Sequence, residues 1–479
     1  MPTTNGNRKI LDLKRWEYVT TAPLATQGGS CLASSRNYRQ QQLYLRSNTE
    51  SYLYNASEDG FIQITSPALA GTFGGGAAAV AGSYSTGNTT GVFTLTATGG
   101  STTTLITNQT LARDLRGYSI QLVGGPGAGD TRTIASNTIG TNATITVTSA
   151  FSSSPTASTT YRLVTPVWYV VGAGTLASGS FKKYDYATNT WTTLTQTGLA
   201  ATLGTDGKLI TTPSWMNNDY LNFASGTATA GAATTLTDSG KSWTTNQWTN
   251  YQIRIISGTG AGQIRSIASN TGTVITVGSS WGTNPSTDSV YAIQGNDDYI
   301  YYIGNNAITL YRYSITSNTW TTLSPATART SSAGTGCSAH WVWGSTDSSW
   351  TSESAIINGR RIYSFRGAGT VGLDYYDIPS NAWTNGITFS PNVETFSTGT
   401  KYSYNGDYLY IQKDATGRFF RYNFVTSEMD PWGALLYTQG AAAAGDTMFD
   451  ITYTDGATKI IYMYFLINTG TALLRQMVI

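Results

Sequence analysis

The chain has 479 residues, only 11% of them charged, and its 28 Lys and Arg against 26 Asp and Glu leave a formal net charge of +2. That balance excludes an electrostatic footprint for nucleic acid or anionic lipid, and the length exceeds one ordinary core, so several domains or one large closed repeat array is expected. With 52 Gly and 31 Tyr, the composition is one of half-buried strands and tight turns, and no stretch carries a capped helical periodicity.

In chain order, the N-terminus MPTTNGNRKILDLKRW carries Arg8, Lys9, Lys14 and Arg15, a solvated terminus by expectation. It has no uninterrupted apolar segment or small-residue cleavage site, and no apolar run reaches the length of about eighteen residues of a membrane span, so neither export nor a membrane span is expected. RWEYVTTAP then resembles the segments TWTTLTQ and TWTTLSP further on and places Trp16 where Trp191 and Trp320 stand. YNASEDGF follows, with Tyr54 and Phe61 seven positions apart around a polar turn. The same spacing recurs from Tyr184 to Trp191 in YDYATNTW, Tyr313 to Trp320 in YSITSNTW, Tyr376 to Trp383 in YDIPSNAW and Tyr422 to Met429 in YNFVTSEM. A polar turn between two β-runs predicts a hairpin with both large residues on one face. Strands rich in Tyr and Ile precede most copies: VWYVVG, DYIYYIG, RRIYSFRG and DYLYIQ. Each unit therefore holds three or four strands.

Successive hairpin tyrosines lie 130, 129, 63 and 46 residues apart, so the first two intervals hold something besides a hairpin unit. GYSIQLVGGPGAGDTRTIASN at 117–137 aligns without a gap with NYQIRIISGTGAGQIRSIASN at 250–270, and ATITVTSAFSSSPTASTTYRL at 143–163 continues onto VITVGSSWGTNPSTDSVYAI at 274–293. This internal duplication alternates apolar and polar residues in short runs, which predicts a small β-barrel or sandwich per copy. Both copies interrupt a unit after its first strand, so on a rotationally repeating scaffold they stand on one face, one unit apart.

A strand ending near Gly172, Gly304 or Gly367, then a Tyr, then a Trp beyond a polar turn, resembles the kelch repeat of β-propellers, with the paired glycines of that family reduced to single ones. The resemblance implies an all-β propeller. Five hairpins and a unit completed by the two chain ends give six blades, with five or seven left open; such closure protects strand edges. The domains are expected at 14–82, 164–224 and 295–479 for the discontinuous propeller, and at 83–163 and 225–294 for the two homologous insertion domains. The GxGAGxxR turn followed by a strand and a W/F…P…Y strand resembles a segment recurring in tailed-bacteriophage virion proteins such as fibres and tail or head accessory proteins.

Catalytic chemistry has little to start from. His340 is the single histidine; with Cys337 it is taken as packed at a strand edge among Trp341 and Trp343, and no metal is expected. The GPGAGDTR and GTGAGQIR turns lack the Lys-Ser/Thr of a phosphate loop, and Arg132 and Arg265 within them are expected on the module surface. Asp374, Asp377, Asp407 and Glu394 form no evident carboxylate pair. No catalytic residue and no cofactor is assigned. Trp341, Trp343 and Trp350 lie off the repeat and are candidates for an exposed recognition loop. Cys31 and Cys337 stand in no recognisable spacing, and whether they pair is open.

The expectation is a non-enzymatic structural protein of a bacteriophage virion, a tail hub or nozzle type or another tail or head accessory component, in a homo-oligomeric ring with other virion proteins as partners. The alternative is a receptor- or glycan-binding protein using the off-repeat aromatic residues.

Overall fold

The computed structural model describes residues 17–477 apart from 22–30, 35–40, 213–221, 343–360, 388–394, 435–446 and shorter gaps of one to five residues. Every regular element among the described residues is a β-strand.

The repeated hairpin has one local cause. In each of the five copies the large residues face each other across the ladder: Tyr54 and Phe61, Tyr184 and Trp191, Tyr313 and Trp320, Tyr376 and Trp383, Tyr422 and Met429. The residue five positions after the tyrosine takes a left-handed backbone, with φ of 47° at Asp59, 51° at Asn189, 50° at Asn318, 48° at Asn381 and 56° at Ser427. Asn and Asp are the non-glycine residues that enter this region most readily, and a left-handed residue after a tight turn returns the chain into an antiparallel ladder. The side chain at that position is also used. The hydroxyls of Tyr54, Tyr184, Tyr313 and Tyr376 donate to Oδ1 of Asp59, Asn189, Asn318 and Asn381 at 2.9, 2.7, 2.6 and 2.8 Å. One Asx side chain thus serves both the turn and the buried phenol.

Four-stranded antiparallel sheets grow around these hairpins in a propeller-like arrangement. The Tyr54 sheet holds Cys31–Ser34, Gln42–Leu45, Ser51–Asn55 and Gly60–Gln63. The Tyr184 sheet holds Ala78–Ala81, Val167–Val171, Phe181–Asp185 and Thr190–Thr193. In the Tyr313 set, Lys208–Thr212, Val290–Ile303, Leu310–Ser314 and Thr319–Thr322 pair in turn. The Tyr376 sheet holds His340–Val342, Arg361–Phe365, Leu373–Asp377 and Ala382–Ile387, and the Tyr422 sheet Lys401–Tyr404, Leu409–Lys413, Arg418–Asn423 and Glu428–Ala434. A terminal sheet joins Thr447–Asp455, Thr458–Leu466 and Ala472–Met477 to Glu17–Thr21 from the opposite end of the chain, with Glu17 opposite Arg475 and Tyr18 opposite Leu474. Trp16 itself lies outside the described residues.

First strands neighbour one another. Cys31–Ser34 lies beside Thr447–Asp455 and Ala78–Ala81; Lys208–Thr212 lies beside Ala78–Ala81 and His340–Val342; Lys401–Tyr404 lies beside Thr447–Asp455. The Tyr402 hydroxyl donates to the Gly336 carbonyl at 2.8 Å, and its ring lies 5.9 Å from that of His340. At the outer rim, the Trp320 amide donates to Thr197 and the Trp383 amide to Thr327, at 3.0 and 2.9 Å. The chain leaving one sheet therefore crosses the repeat tryptophan of the next. Gly198 makes that approach possible, because at φ +91° a Cβ there would stand 1.9 Å from the Trp320 carbonyl oxygen.

Two barrels interrupt this scaffold. Between Ala78–Ala81 and Val167–Val171 a closed barrel runs Thr131–Asn137, Thr144–Val147, Thr104–Thr107, Leu95–Ser101, Thr160–Val164, Ser119–Gly124. The second copy repeats these pairings with the equivalent of Leu95–Ser101 split into Asn222–Thr227 and Ala230–Ala232. Its last strand and the next scaffold strand are one, Val290–Ile303, so the division expected after residue 294 falls within a strand. In the first copy Thr165 and Pro166 separate the two strands, and proline has no N–H for a ladder. Both barrels use the same internal braces. Asn137 accepts from the Leu115 amide and donates to the Arg113 and Thr138 carbonyls; Asn270 does the same with Trp248, Thr244 and Thr271. Buried Tyr161 donates to Thr107, and buried Tyr291 to Asp238.

Candidate functional site

The feature that sets this scaffold apart is the pair of barrels. The first is fixed at its base: Arg113 donates to the Tyr184 hydroxyl and to Asn189 Oδ1 at 3.0 and 3.1 Å, and its guanidinium lies 4.7 Å from the Tyr186 ring centre. Asp185, wholly buried, accepts from the Ser85 hydroxyl and the Gly87 amide of the entering chain at 2.6 and 3.1 Å. The second barrel is anchored through its continuous strand and through Tyr251, packed with Tyr301 and Tyr376 in one buried cluster.

The barrels also clasp each other. Arg162, 1% exposed on the last strand of the first barrel, donates to Ser266 Oγ of the second at 3.0 Å and lies 4.0 Å from Asp297 Oδ2, whose side chain is fully buried. One residue along the same strand, Arg265 donates to the Ala128 carbonyl at 3.3 Å, and the neighbouring Ser279 donates to the Val123 carbonyl at 2.9 Å. On the second barrel these contacts gather in one patch, Arg265, Ser266 and Ser279, against which Arg162 and the Val123 and Ala128 turn of the first barrel rest.

The duplication makes the footprint of this interface visible. Arg132 and Arg265 are held alike by their own barrels: Nε donates to the Ala150 or Ser280 carbonyl, Nη1 to the Thr131 or Ile264 carbonyl, and Nη2 to Asp130 or Gln263. Arg132 is half-buried, whereas Arg265 is 1% exposed because the first barrel stands on it. The expectation of a surface position therefore fails for Arg265; desolvation pulls its guanidinium down to about 10. The turns show the reverse. Gly124, Ala128 and Gly129 are covered or half-covered, while their counterparts Ser257, Ala261 and Gly262 are exposed.

Other candidates fall elsewhere. Trp341 is buried on His340–Val342 opposite Ile362, and Trp343 and Trp350 lie outside the described residues. Cys31 and Cys337 are free thiols; Cys337 is buried with Sγ against the Asp206 carbonyl at 3.4 Å, and desolvation holds both thiols above the usual range. Asp374 is fully buried. Desolvation alone would raise its carboxyl, but hydrogen bonds from Arg366 at 2.6 Å and from the Gly386 amide, with Arg329 at 3.0 Å, hold it below the usual range. Asp377 braces its hairpin by accepting from Ser380, and Asp407 and Glu394 lie outside the described residues. Among the described residues no group of three or more His, Cys, Asp and Glu could hold a metal ion, and no helix is long and apolar enough to cross a membrane. The sequence reading missed Arg162 and Asp297; the one available signal was an arginine at 162 where the duplicate has Ala292.

No protein-family model matches the chain, and no curated protein matches it. Among solved structures it is similar to an Aleuria aurantia lectin mutant in complex with Fucα1-6GlcNAc, at 9% identity and TM-score 0.38 over 95% of this chain and 94% of that one. It is similar to the phage phi92 endosialidase at 9% identity and TM-score 0.28, over 98% of this chain and 70% of that one. A protein of unknown function from Bacteroides thetaiotaomicron matches at 13% identity and TM-score 0.24, over 77% of this chain and 66% of that one. These identities are too low to transfer a ligand or an activity.

Proposed function

We propose that the chain is a non-enzymatic structural protein of a bacteriophage virion, a tail hub or nozzle type or another tail or head accessory component. In this reading a six-bladed propeller, closed by its N- and C-terminal strands, is the scaffold, and the paired barrels are contact modules. The observation that carries it is the clasp between the barrels. Two copies of one module, braced alike inside and locked together through buried Arg162, Asp297 and Arg265, hold a fixed surface outside the scaffold and offer a partner protein a preorganised target. Support for six blades comes from the neighbouring first strands and from the terminal sheet shared by both chain ends. The phage assignment is supported by the resemblance of the GxGAGxxR module to tailed-phage virion segments. Assembly as a homo-oligomeric ring with other virion proteins belongs to the same proposal.

The test is quantitative mass spectrometry of purified particles of the phage that encodes the chain. A fixed, ring-like number of copies per particle is expected; absence from particles overturns the assignment. Tight binding of the isolated protein on a glycan array would instead favour the receptor-binding reading, which has lost Trp341 to the core.

A further inference from the structure

The contact between the barrels is not symmetric: the first contributes its glycine turn and the second its arginine face. Each barrel, being a copy of the other, owns both surfaces, so one of each is left over. The free turn is 256–262 on the second barrel, and the free face is Arg132, Thr133 and Ser149 on the first. Thr133, Ser149, Ser257, Ala261 and Gly262 are exposed, whereas their engaged counterparts Ser266, Ser279, Gly124, Ala128 and Gly129 are covered or half-covered. The free surfaces keep the geometry that the engaged pair uses. The Gly129 amide donates to the Leu122 carbonyl at 2.8 Å and the Ala128 amide to the Gly125 carbonyl at 3.1 Å; Gly262 and Ala261 donate to Ile255 and Gly258 at the same two distances. The left-handed glycines match as well, with φ of 75°, 76° and 101° at Gly125, Gly127 and Gly129 against 78°, 83° and 88° at Gly258, Gly260 and Gly262. The Ile256 and Ala261 carbonyls are therefore presented as the Val123 and Ala128 carbonyls are. On the free face Arg132 is held through Nε and Nη1 in the posture of Arg265, and Ser149 occupies the position of Ser279.

We propose that the free turn of one copy docks on the free face of a second copy of this chain, repeating between molecules the contact that joins the barrels within one. The turn already has a complement in the structure, the arginine face of a homologous barrel, and a second copy brings one that is unoccupied. Arg132 then donates to the Ala261 carbonyl and Ser149 to the Ile256 carbonyl of the other copy, as Arg265 and Ser279 do to Ala128 and Val123. The side chain that Ser257 adds in place of Gly124 has room, because across the interface a Cβ on Gly124 would meet Ser279 Cβ at 3.8 Å, an ordinary contact. Two departures set the strength. Ala292 stands where Arg162 does, so the buried arginine that donates to Ser266 has no counterpart. Asp130 in place of Gln263 also draws on Arg132 Nη2, at 2.8 Å. The contact between copies is therefore weaker than the one within the chain and reversible on dilution. Because turn and face are different surfaces, copies join head to tail, and repetition closes a ring or runs on as a filament. Self-association of this kind goes beyond the virion reading and does not depend on it, so either can fail alone.

Sedimentation of the purified full chain over a range of concentrations should show its mass rising with concentration. Ala261→Arg on the turn and Ser149→Arg on the face each place a charge in the contact, and each alone should weaken self-association by at least about tenfold with an unchanged melting temperature. Mixed in equal amounts, the two variants should form a dimer and stop there, because each keeps the half that the other has lost. As an independent readout, a chain carrying Ser149→Cys mixed with one carrying Ser257→Cys should form a disulfide between those positions on mild oxidation. A Cβ at position 124 stands 3.8 Å from that of Ser279, and the equivalent separation between copies lies within the disulfide range of about 3.5–4.5 Å. The proposal is overturned by a wild-type chain that is monomeric at every concentration, or by association that only one Arg variant or neither weakens. A mixture that fails to pair or grows past a dimer, or absence of the link between positions 149 and 257, overturns it equally.

Discussion

Replacing Asp297 by Asn removes one charge from the clasp while keeping its shape. The carboxylate lies 4.0 Å from the Arg162 guanidinium, and both side chains are at most 1% exposed. At that distance and an effective dielectric of about 20, the attraction amounts to about 4 kcal/mol. Breaking a buried pair from one side costs about 3–5 kcal/mol because the other charge stays buried. Arg162 keeps its bond to Ser266 and its position 4.8 Å from the Tyr84 ring centre, so the lower end, about 3 kcal/mol, is expected for Asp297→Asn. Urea unfolding gives the total. Hydrogen exchange locates it, with faster exchange at the amides of Ser119–Gly124 and Ile264–Asn270, where the barrels meet. Arg162→Met combined with Asp297→Asn should cost less than the single changes added together. A loss below about 1 kcal/mol, the level of an exposed ion pair, or additivity in the double variant, would refute the assignment of a buried clasp.

Three further outcomes follow from the scaffold. Asn318→Ala forces alanine into a left-handed backbone and removes the acceptor of the Tyr313 hydroxyl and the Thr195 amide; a loss of about 2–3 kcal/mol is expected in urea unfolding, with Asn318→Gly recovering about half. Deleting residues 1–21 uncovers the Ala472–Met477 edge, so the shortened chain should melt lower and scatter light on standing; an unchanged melting curve would contradict closure by the two ends. Lys183 is 1% exposed, and burial lowers its ammonium from 10.5 to about 8 against the opposing pull of Asp185. The folded state therefore binds that proton less well than the unfolded one, a penalty of about 3 kcal/mol below pH 8 that fades as pH rises to 10.5. Lys183→Met should be more stable than wild type at pH 7, with the advantage shrinking across that window; a difference independent of pH would count against the burial.

What the sequence determined by itself is local. A tyrosine, a left-handed polar residue five positions on and a large residue two further (tryptophan in three copies, Phe61 and Met429 in the others) make a hairpin without help from distant residues, because turn geometry and the facing pair lie within eight positions, so all five hairpins were legible. The duplication was legible for the same reason, since the internal braces of each barrel are written twice. Tertiary structure decided the rest. Arg132 and Arg265 occupy the same motif and make the same bonds within their barrels, yet one is buried, because burial depends on the neighbour and only the second barrel receives the first barrel's turn. The diagonal stacks of Arg312 on Tyr299 and Arg421 on Tyr408 reappear reversed, as Arg361 on Tyr375; register across strands places them together, and neither order in the sequence announces the pair. The Arg162 and Asp297 pair is separated by more than a whole barrel in the chain, and only the packing of the first barrel against the strand that the second barrel shares with the scaffold brings those charges within reach.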